Sequence, residues 1–231
     1  FCNAIFQKRT QSFSYTQMKI QTITVNPLEV NCYIVSDEQT NEAAIIDPGM
    51  FFDQERQAIA SYIAANELHV SHILLTHGHF DHAMSAQWCA EKFGNLKPCL
   101  HADDSSLMAK INDQMLMFMH RALAASAPVA TTPIADGDTI QIGAVALRVI
   151  HTPGHTLGGV CYHCEEEGVL FSGDSLFYGS VGRTDLEGGD SATLTQSLRQ
   201  RVMTLPEHTT VLPGHGPRTT IANELRYNPY I

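Results

Sequence analysis

Short β-rich runs alternate with stretches of helical period along this chain, and the two together predict an order of elements. "MKIQTITV" (18–25) and "VNCYIVS" (30–36) predict two strands, and "EAAIIDPG" (42–49) predicts a third, stopped by the Pro48-Gly49 turn. Asp53 is placed to cap a helix running to about Asn66, with Ile59, Tyr62 and Ile63 on one face. The apolar run in "VSHILLTH" (70–77) predicts a buried strand. A helix from His82 to about Phe93 follows, then the short strand "PCLHA" (98–102). Between Asp103 and about Ala125, residues Leu107, Ile111, Met115, Phe118, Met119 and Ala122 recur at three- and four-residue spacing, which predicts one helix. "DGDTIQIGAVALRVIHTPGH" (136–155) reads as an Asp136-Gly137 turn and two strands, and "GGVCYHC" and "GVLFSGD" as two more. Ser191 is placed to cap a helix over Ala192–Met203 that turns Leu194 and Leu198 inward. "TTVLPGHG" (209–216) is the last predicted strand, and a short helix begins near Thr219. Strands with a helix, then strands with a helix again, predict two similar α/β halves packed together with helices outside.

Composition narrows the class. The chain has 231 residues, 44% hydrophobic and 16% charged, as expected of a globular domain with one core. Residues 18–231 read as that domain. Residues 1–17 read as an N-terminal extension, artificial or disordered, with Met18 as the natural start. The formal charge of −10 argues against nucleic acid as a partner, because phosphate binding rests on Lys and Arg. No apolar run approaches the roughly 20 residues that span a bilayer, so no membrane partner is expected. The N-terminal stretch also lacks the pattern of a signal peptide. Six cysteines lie scattered through predicted strands and helices, which reads as reduced thiols and a cytoplasmic protein. "CYHC" (161–164) reads as a strand with Cys161 and His163 on one face and Tyr162 and Cys164 on the other, rather than as a redox pair.

The chemistry lies in four segments. Each ends a predicted strand and delivers metal-affine side chains at the loop that follows: "THGHFDH" (76–82), "HTPGHT" with His155, "FSGDS" with Asp174, and "LPGHG" with His215. Imidazole is the commonest transition-metal ligand near neutral pH, and a cluster as dense as that from His77 to His82 is rarely a surface accident. Ligands on strand-to-loop corners can converge at one rim of a sheet pair. Gly154, Gly173 and Gly214 each precede one of these residues, and glycine permits a tight turn and close backbone approach. His69, His72, His101, His120, His151, His163 and His208 are read as surface or core residues.

H-x-H-x-D-H followed by single His, Asp and His, in that order, resembles the metallo-β-lactamase superfamily, and the resemblance runs from Met18 to the end of the chain. It implies an α/β fold, a four-layer αβ/βα sandwich of two mixed β-sheets with helices on the outer faces and the site at one edge. It also implies two divalent metal ions. His77, His79 and His155 hold the first, Asp81, His82 and His215 the second, and Asp174 bridges them. Zinc suits these ligands, at roughly 2.0–2.2 Å each, and iron or manganese also fits. Asp81 and Asp174 brought together would repel, and a cation removes that penalty. Two divalent ions, two carboxylates and one hydroxide sum to about +1, a local positive spot that favours an anionic substrate. A bridging water with its pKa lowered from about 15.7 toward 7 supplies the hydroxide nucleophile.

Within the superfamily, "GDSLFYGSVGRTDLEGGD" (173–190) is informative. Gly182-Arg183 resembles the glyoxalase II pattern, in which a basic residue contacts the glutathione part of a thioester. Arg183 is thus the substrate-binding candidate, through paired hydrogen bonds to a carboxylate; the other role open to it is a salt bridge to Asp185. Asp185 stands where glyoxalase II usually has an aromatic. The 16 residues after His215 are too few for the helical C-terminal domain of that family. "VGRTDLEGGD" with "LPGHGP" is more similar to the compact glyoxalase II-like hydrolases of bacteria. The expected function is therefore a binuclear metal-dependent hydrolase of a small anionic acyl thioester, hydroxyacylglutathione hydrolase-like, with Asp81 and Asp174 at the catalytic centre. Thr184-Asp185 also resembles the persulfide dioxygenases, which use one iron on the equivalents of His77, His155 and Asp174; lactonase is a further alternative. The Met-rich segment (Met108, Met115, Met117, Met119) is either core or an adaptable apolar lip over the pocket.

Overall fold

The computed structural model describes residues 18–121 and 130–231. The reading of residues 1–17, and of Ala122 and Ala125 as helical, lies outside the described residues. Alternation along the strands builds two six-stranded mixed sheets. The first holds, in spatial order, β1 (Met18–Val25), β2 (Val30–Asp37), β3 (Glu42–Ile46), β4 (His69–Leu74), β5 (Cys99–His101) and β6 (Thr132–Ile134). The second contains β7 (Thr139–Ile142), β8 (Val145–His151), β9 (Val160–Cys164) and β10 (Val169–Gly173). A small hairpin, β11 (Leu176–Phe177) and β12 (Ser180–Val181), intervenes before β13 (Thr210–Pro213) and β14 (Thr219–Thr220) complete that sheet.

Side chains of period two separate the layers. On β2 and β3, Tyr33, Val35, Ala44 and Ile46 face the second sheet and meet Leu147, Val149, Tyr162 and Phe171 in the central core. Cys32, Ile34, Ala43 and Ile45 face outward onto α1 (Asp53–Ala65), through Ile59 and Ile63. Two short helices follow β4: α2 (Phe80–Ala83) and α3 (Ala86–Lys92). Beyond β5 come α4 (Ser105–Ala109) and α5 (Ile111–Met119). On the far face, Cys161, Leu170 and Val211 pack against Leu194 of α6 (Ser191–Ser197) and Ile221 of α7 (Ile221–Tyr227). The result is the expected αβ/βα sandwich. Two buried tyrosines tie its sheets together: the Tyr33 hydroxyl donates to the Pro213 carbonyl and the Tyr162 hydroxyl to the Leu75 carbonyl, both at 2.7 Å. "CYHC" is a strand as expected, with Cys161 and Cys164 on opposite faces.

Several boundaries differ from the sequence pattern, each for a local reason. The helix expected from Asp103 onward is a 3-10 turn over Ala102–Asp104 followed by two helices that break at Lys110. The Leu107 carbonyl, which a continuous helix would pair with Ile111, accepts instead from Lys110 N (3.1 Å) and Gln114 Nε2 (2.8 Å). The helix expected from His82 starts earlier, with His79 as its N-cap, and breaks at Ser85, whose N–H and hydroxyl bond the Pro48 and Met50 carbonyls. Phe52, not Asp53, is the N-cap of α1. Asp190, not Ser191, caps α6 by accepting from Thr193 N at 2.7 Å, and the helix runs on into a π-helical turn over Leu198–Val202. β6 and the β11–β12 hairpin carry no pattern that the sequence reading used.

Candidate metal centre

β3, β4 and β5 run parallel, as do β10 and β13. β8 shares the direction of β10, because two antiparallel steps separate them. The loops leaving the C-terminal ends of these strands meet at one edge of the sandwich, as open α/β sheets favour. All seven residues of the expected set arrive there. His77, His79 and His155 form one group and Asp81, His82 and His215 another, each with ligand atoms within 4.8 Å of one another; Asp174 joins His77 and His82 in a third that links them. Backbone has to come close for this. A Cβ on Gly214 would lie 2.3 Å from Asp174 Oδ1 and 2.6 Å from His82 Cε1, so no larger residue fits between these two ligands.

Hydrogen bonds on the outer side of each ring decide what its inner side offers. Thr76 Oγ1 donates to Asp47 Oδ2 (2.7 Å) and so accepts from His77 Nδ1 (3.0 Å). His82 Nδ1 donates to the same Asp47 oxygen (3.0 Å), His155 Nδ1 to the Arg183 carbonyl (2.7 Å) and His215 Nδ1 to the Leu28 carbonyl (2.9 Å). Four imidazoles are thereby held with Nε2 toward the centre. His79 presents the other nitrogen, its Nδ1 lying 3.0 Å from His155 Nε2. His77 Nε2 is buried without a hydrogen-bond partner, and so is Asp174 Oδ1. Inward ring nitrogens, orphaned polar atoms and mixed N and O donors together fit divalent metal ions.

Protonation divides the cluster into two. Burial, with neighbouring imidazoles adding to it, pushes His77 well below the usual histidine range and His79 down to about 4. Both are neutral and ready to coordinate at pH 7. Burial acts the same way on His82 and His215, but carboxylates outweigh it. Asp174, Asp81 and Asp47 hold His82 well above the usual value, and Asp81 and Asp174 raise His215. Burial alone would raise Asp174 and Asp81. His82 reverses this for both, with His155 and His215 adding to it at Asp174 and His215 at Asp81, so both carboxyls lie below their ordinary value. Without metal, protonated imidazoles supply the positive charge that the two carboxylates require.

Sequence reasoning missed the residues behind this set. Asp47 accepts from Thr76 N, Thr76 Oγ1 and His82 Nδ1. Asp104, 1% exposed, accepts from Gly78 N (2.9 Å), Thr156 Oγ1 (2.8 Å) and Gly158 N (2.6 Å), so one carboxylate fastens the His77–His79 loop to the His155 loop. The signal for Asp47 was present: it follows a buried strand, as the ligands do. Asp104 sits among other acids of "HADDSS" and carries no comparable mark. His151 stays outside the centre, its ring stacked on His101 at 4.2 Å and its Nε2 donating to the Leu157 carbonyl. Arg183 lines the cleft over the centre. Its Nε and Nη2 pair with both oxygens of Asp185 at 2.7 and 2.8 Å, while its carbonyl orients His155.

The chain matches the Metallo-beta-lactamase superfamily over residues 25–215. It belongs to that superfamily. It is 33% identical over 214 residues to the hydroxyacylglutathione hydrolase GloC of Haemophilus influenzae, the match covering 93% of this chain and 98% of the relative. The crystal structure of the B3 metallo-beta-lactamase BLEG-1 superposes with a TM-score of 0.82 at 34% identity, covering 92% of this chain and 99% of that one. The di-iron-bound form of TTHA1623 gives 0.80 at 35% identity, covering 91% and 100%. The superfamily site is thus seen with iron in a neighbour of this similarity, and the identity of the metal is not set by the fold.

Proposed function

We propose that this protein is a metal-dependent hydrolase that cleaves a small acyl thioester by water. One observation carries the reading: rings and carboxylates from four separate loops are oriented from outside so that their ligand atoms converge. His77, His79 and His155 would hold one divalent ion, Asp81, His82 and His215 a second, with Asp174 shared. When bound, such ions lower the pKa of a water toward neutrality and polarise a carbonyl. The chain supplies the rest. Asp47 and Thr76 keep His77 and His82 in the required tautomers, and Arg183 does so for His155. A cleft of about 460 Å³, lined by Leu28, Phe80, Phe118, Phe177, Val181 and Arg183 among others, opens directly onto the centre. It can seat a substrate's carbonyl against the ligands while the apolar walls limit bulk water. Asp185 occupies the Nε–Nη2 edge of the Arg183 guanidinium and leaves the Nη1 end to donate to a polar group of the substrate. A thiolate leaves readily, so no dedicated general acid is required.

The GloC relative supports a thioester over other acyl compounds. Metal content and stoichiometry of the purified protein, measured beside thioester hydrolysis, β-lactam hydrolysis and oxygen uptake with glutathione persulfide, test the reading. Two ions with thioesterase activity are expected; one iron with oxygen uptake would replace it with a dioxygenase. Asp174→Ala and His79→Ala are expected to abolish turnover, and full activity in either variant would refute the site.

A further inference from the structure

We infer that the substrate carries an apolar acyl limb, a medium-length alkyl chain or an aryl ring, which lies in a groove leading away from the metal centre between α5 and the loop 183–187. This rests on the thioesterase reading above and adds to it the nature of the acyl group. The groove is a second cavity of about 300 Å³ that adjoins the cleft over the centre, sharing His79, Gln114, Phe118 and Leu186 with it. Leu107, Met117, Phe118 and Leu186 give its walls apolar surface, between charged residues at positions 110, 113, 185 and 187. Phe80 and Phe118 stack face to face, with ring centroids 5.6 Å apart and planes 9° from parallel, and Leu107, Met117 and Leu186 continue the surface. Phe118 is 41% exposed and Met117 71% exposed among the described residues, apolar area that a bound chain would remove from water.

The charges on the rim point the same way. Among the described residues, the cations lining the two cavities apart from the histidines are Arg183 and Lys110, and each pairs with a carboxylate. Arg183 holds Asp185 through two hydrogen bonds, and Lys110 Nζ reaches Glu187 Oε1 at 2.6 Å across the groove. Asp113 adds a further carboxylate to the groove wall. The outer limb is therefore neutral to negative, and attraction for an anion is confined to the metal end. A tripeptide thiol with two carboxylates would meet matched cations and carboxylates in this groove, whereas an apolar chain meets aromatic and aliphatic walls. The reaction balances as simple hydrolysis. Water adds its oxygen to the carbonyl carbon, the carbon–sulfur bond breaks, and the products are an apolar carboxylic acid and a free thiol that takes up a proton.

The test is a set of thioesters of one neutral thiol, N-acetylcysteamine, with acetyl, butanoyl, hexanoyl and benzoyl groups, hydrolysed by the metal-loaded protein. kcat/KM is expected to rise roughly threefold for each methylene buried, at least 20-fold from acetyl to hexanoyl. In Phe118→Asp and Leu186→Asp the ratio of hexanoyl to acetyl should fall to within about threefold. Equal kcat/KM for acetyl and hexanoyl in the unaltered protein would overturn the groove and leave the thioesterase standing. If no thioester is cleaved, the thioesterase reading fails, and the groove is then judged by binding alone. S-hexyl and S-methyl N-acetylcysteamine are titrated into the metal-loaded protein. Binding of the hexyl compound at least tenfold tighter, lost in Phe118→Asp, supports the groove, and equal affinities refute it.

Discussion

Asp104 fastens two loops of the centre without joining its candidate ligands. Its carboxylate is shared by Gly78 N, between His77 and His79, and by Thr156 and Gly158, which follow His155. Removing it leaves three buried donors without an acceptor, a loss of about 1–3 kcal/mol for each group left unsatisfied. Asp104→Ala is therefore expected to lower metal affinity by about 10–100-fold and to lower the melting temperature. Metal titration of the variant checks this; unchanged affinity would show that the two loops hold their places without the shared carboxylate. The candidate ligands were legible because they fall in four segments that each follow a strand, in an order with a known counterpart. Asp104 was not, since its value lies in three donors that are 26 to 54 positions away in the chain. Arg183 was legible as a cleft residue, but the work of its backbone carbonyl on His155 leaves no trace in residue type.

At the scale of elements, the β11–β12 hairpin shows how a short piece of chain is held in place by another. It has two-residue strands, too short to persist alone, yet it contributes Phe177, Ser180 and Val181 to the cleft. Its anchor is Glu224 of α7, fully buried, which accepts from Gly179 N at 2.9 Å and from Thr219, Asn223 and Asn228 side chains. Asn228 Nδ2 in turn donates to the Ser180 carbonyl. Glu224→Ala should free the hairpin, raising KM severalfold while leaving metal content intact. Steady-state kinetics with metal analysis separates that from general unfolding, which would lower both. The divided helices belong to this scale too. Periodicity placed Leu107, Ile111 and Met115 correctly on an inward face, and all three are buried. It could not register that Gln114 takes the Leu107 carbonyl, or that Ser85 bonds the β3–α1 loop, because those competitors for backbone groups are tertiary contacts.

Over the whole molecule, the centre is a junction of two sheets and its protonation couples to folding and metal uptake. In the metal-free protein the folded pKa of His79, about 4, lies below the unfolded value of about 6.5. The unfolded chain then binds more protons, and this contribution to stability, fully present above pH 6.5, is lost as pH falls through about 4. His82 and His215 have the opposite sign: raised above 6.5, they contribute stability that is complete below that pH and lost as pH rises through their folded values. Metal must displace those two protons, so loading of the Asp81–His82–His215 group should weaken on acidification more steeply than loading of the His77–His79–His155 group. Metal analysis after dialysis is expected to find two ions near pH 8 and closer to one near pH 5.5, with proton release on loading measured at pH 7. Two ions retained at both pH values would show that the protonated pair does not gate the second position. Chelation should also lower the melting temperature, since ions that bind only the folded state stabilise it by about 4 kcal/mol at a thousandfold excess over Kd. The sequence by itself determined the layers and the candidate ligand set, because period-two burial and histidines in the loops after strands are local properties written in residue order. Only the tertiary structure decided the tautomers, the protonation of one half of the centre and the matched charges of the groove. Those depend on fields and hydrogen bonds between groups far apart in the chain, and such distances exist only after the two sheets have closed on each other.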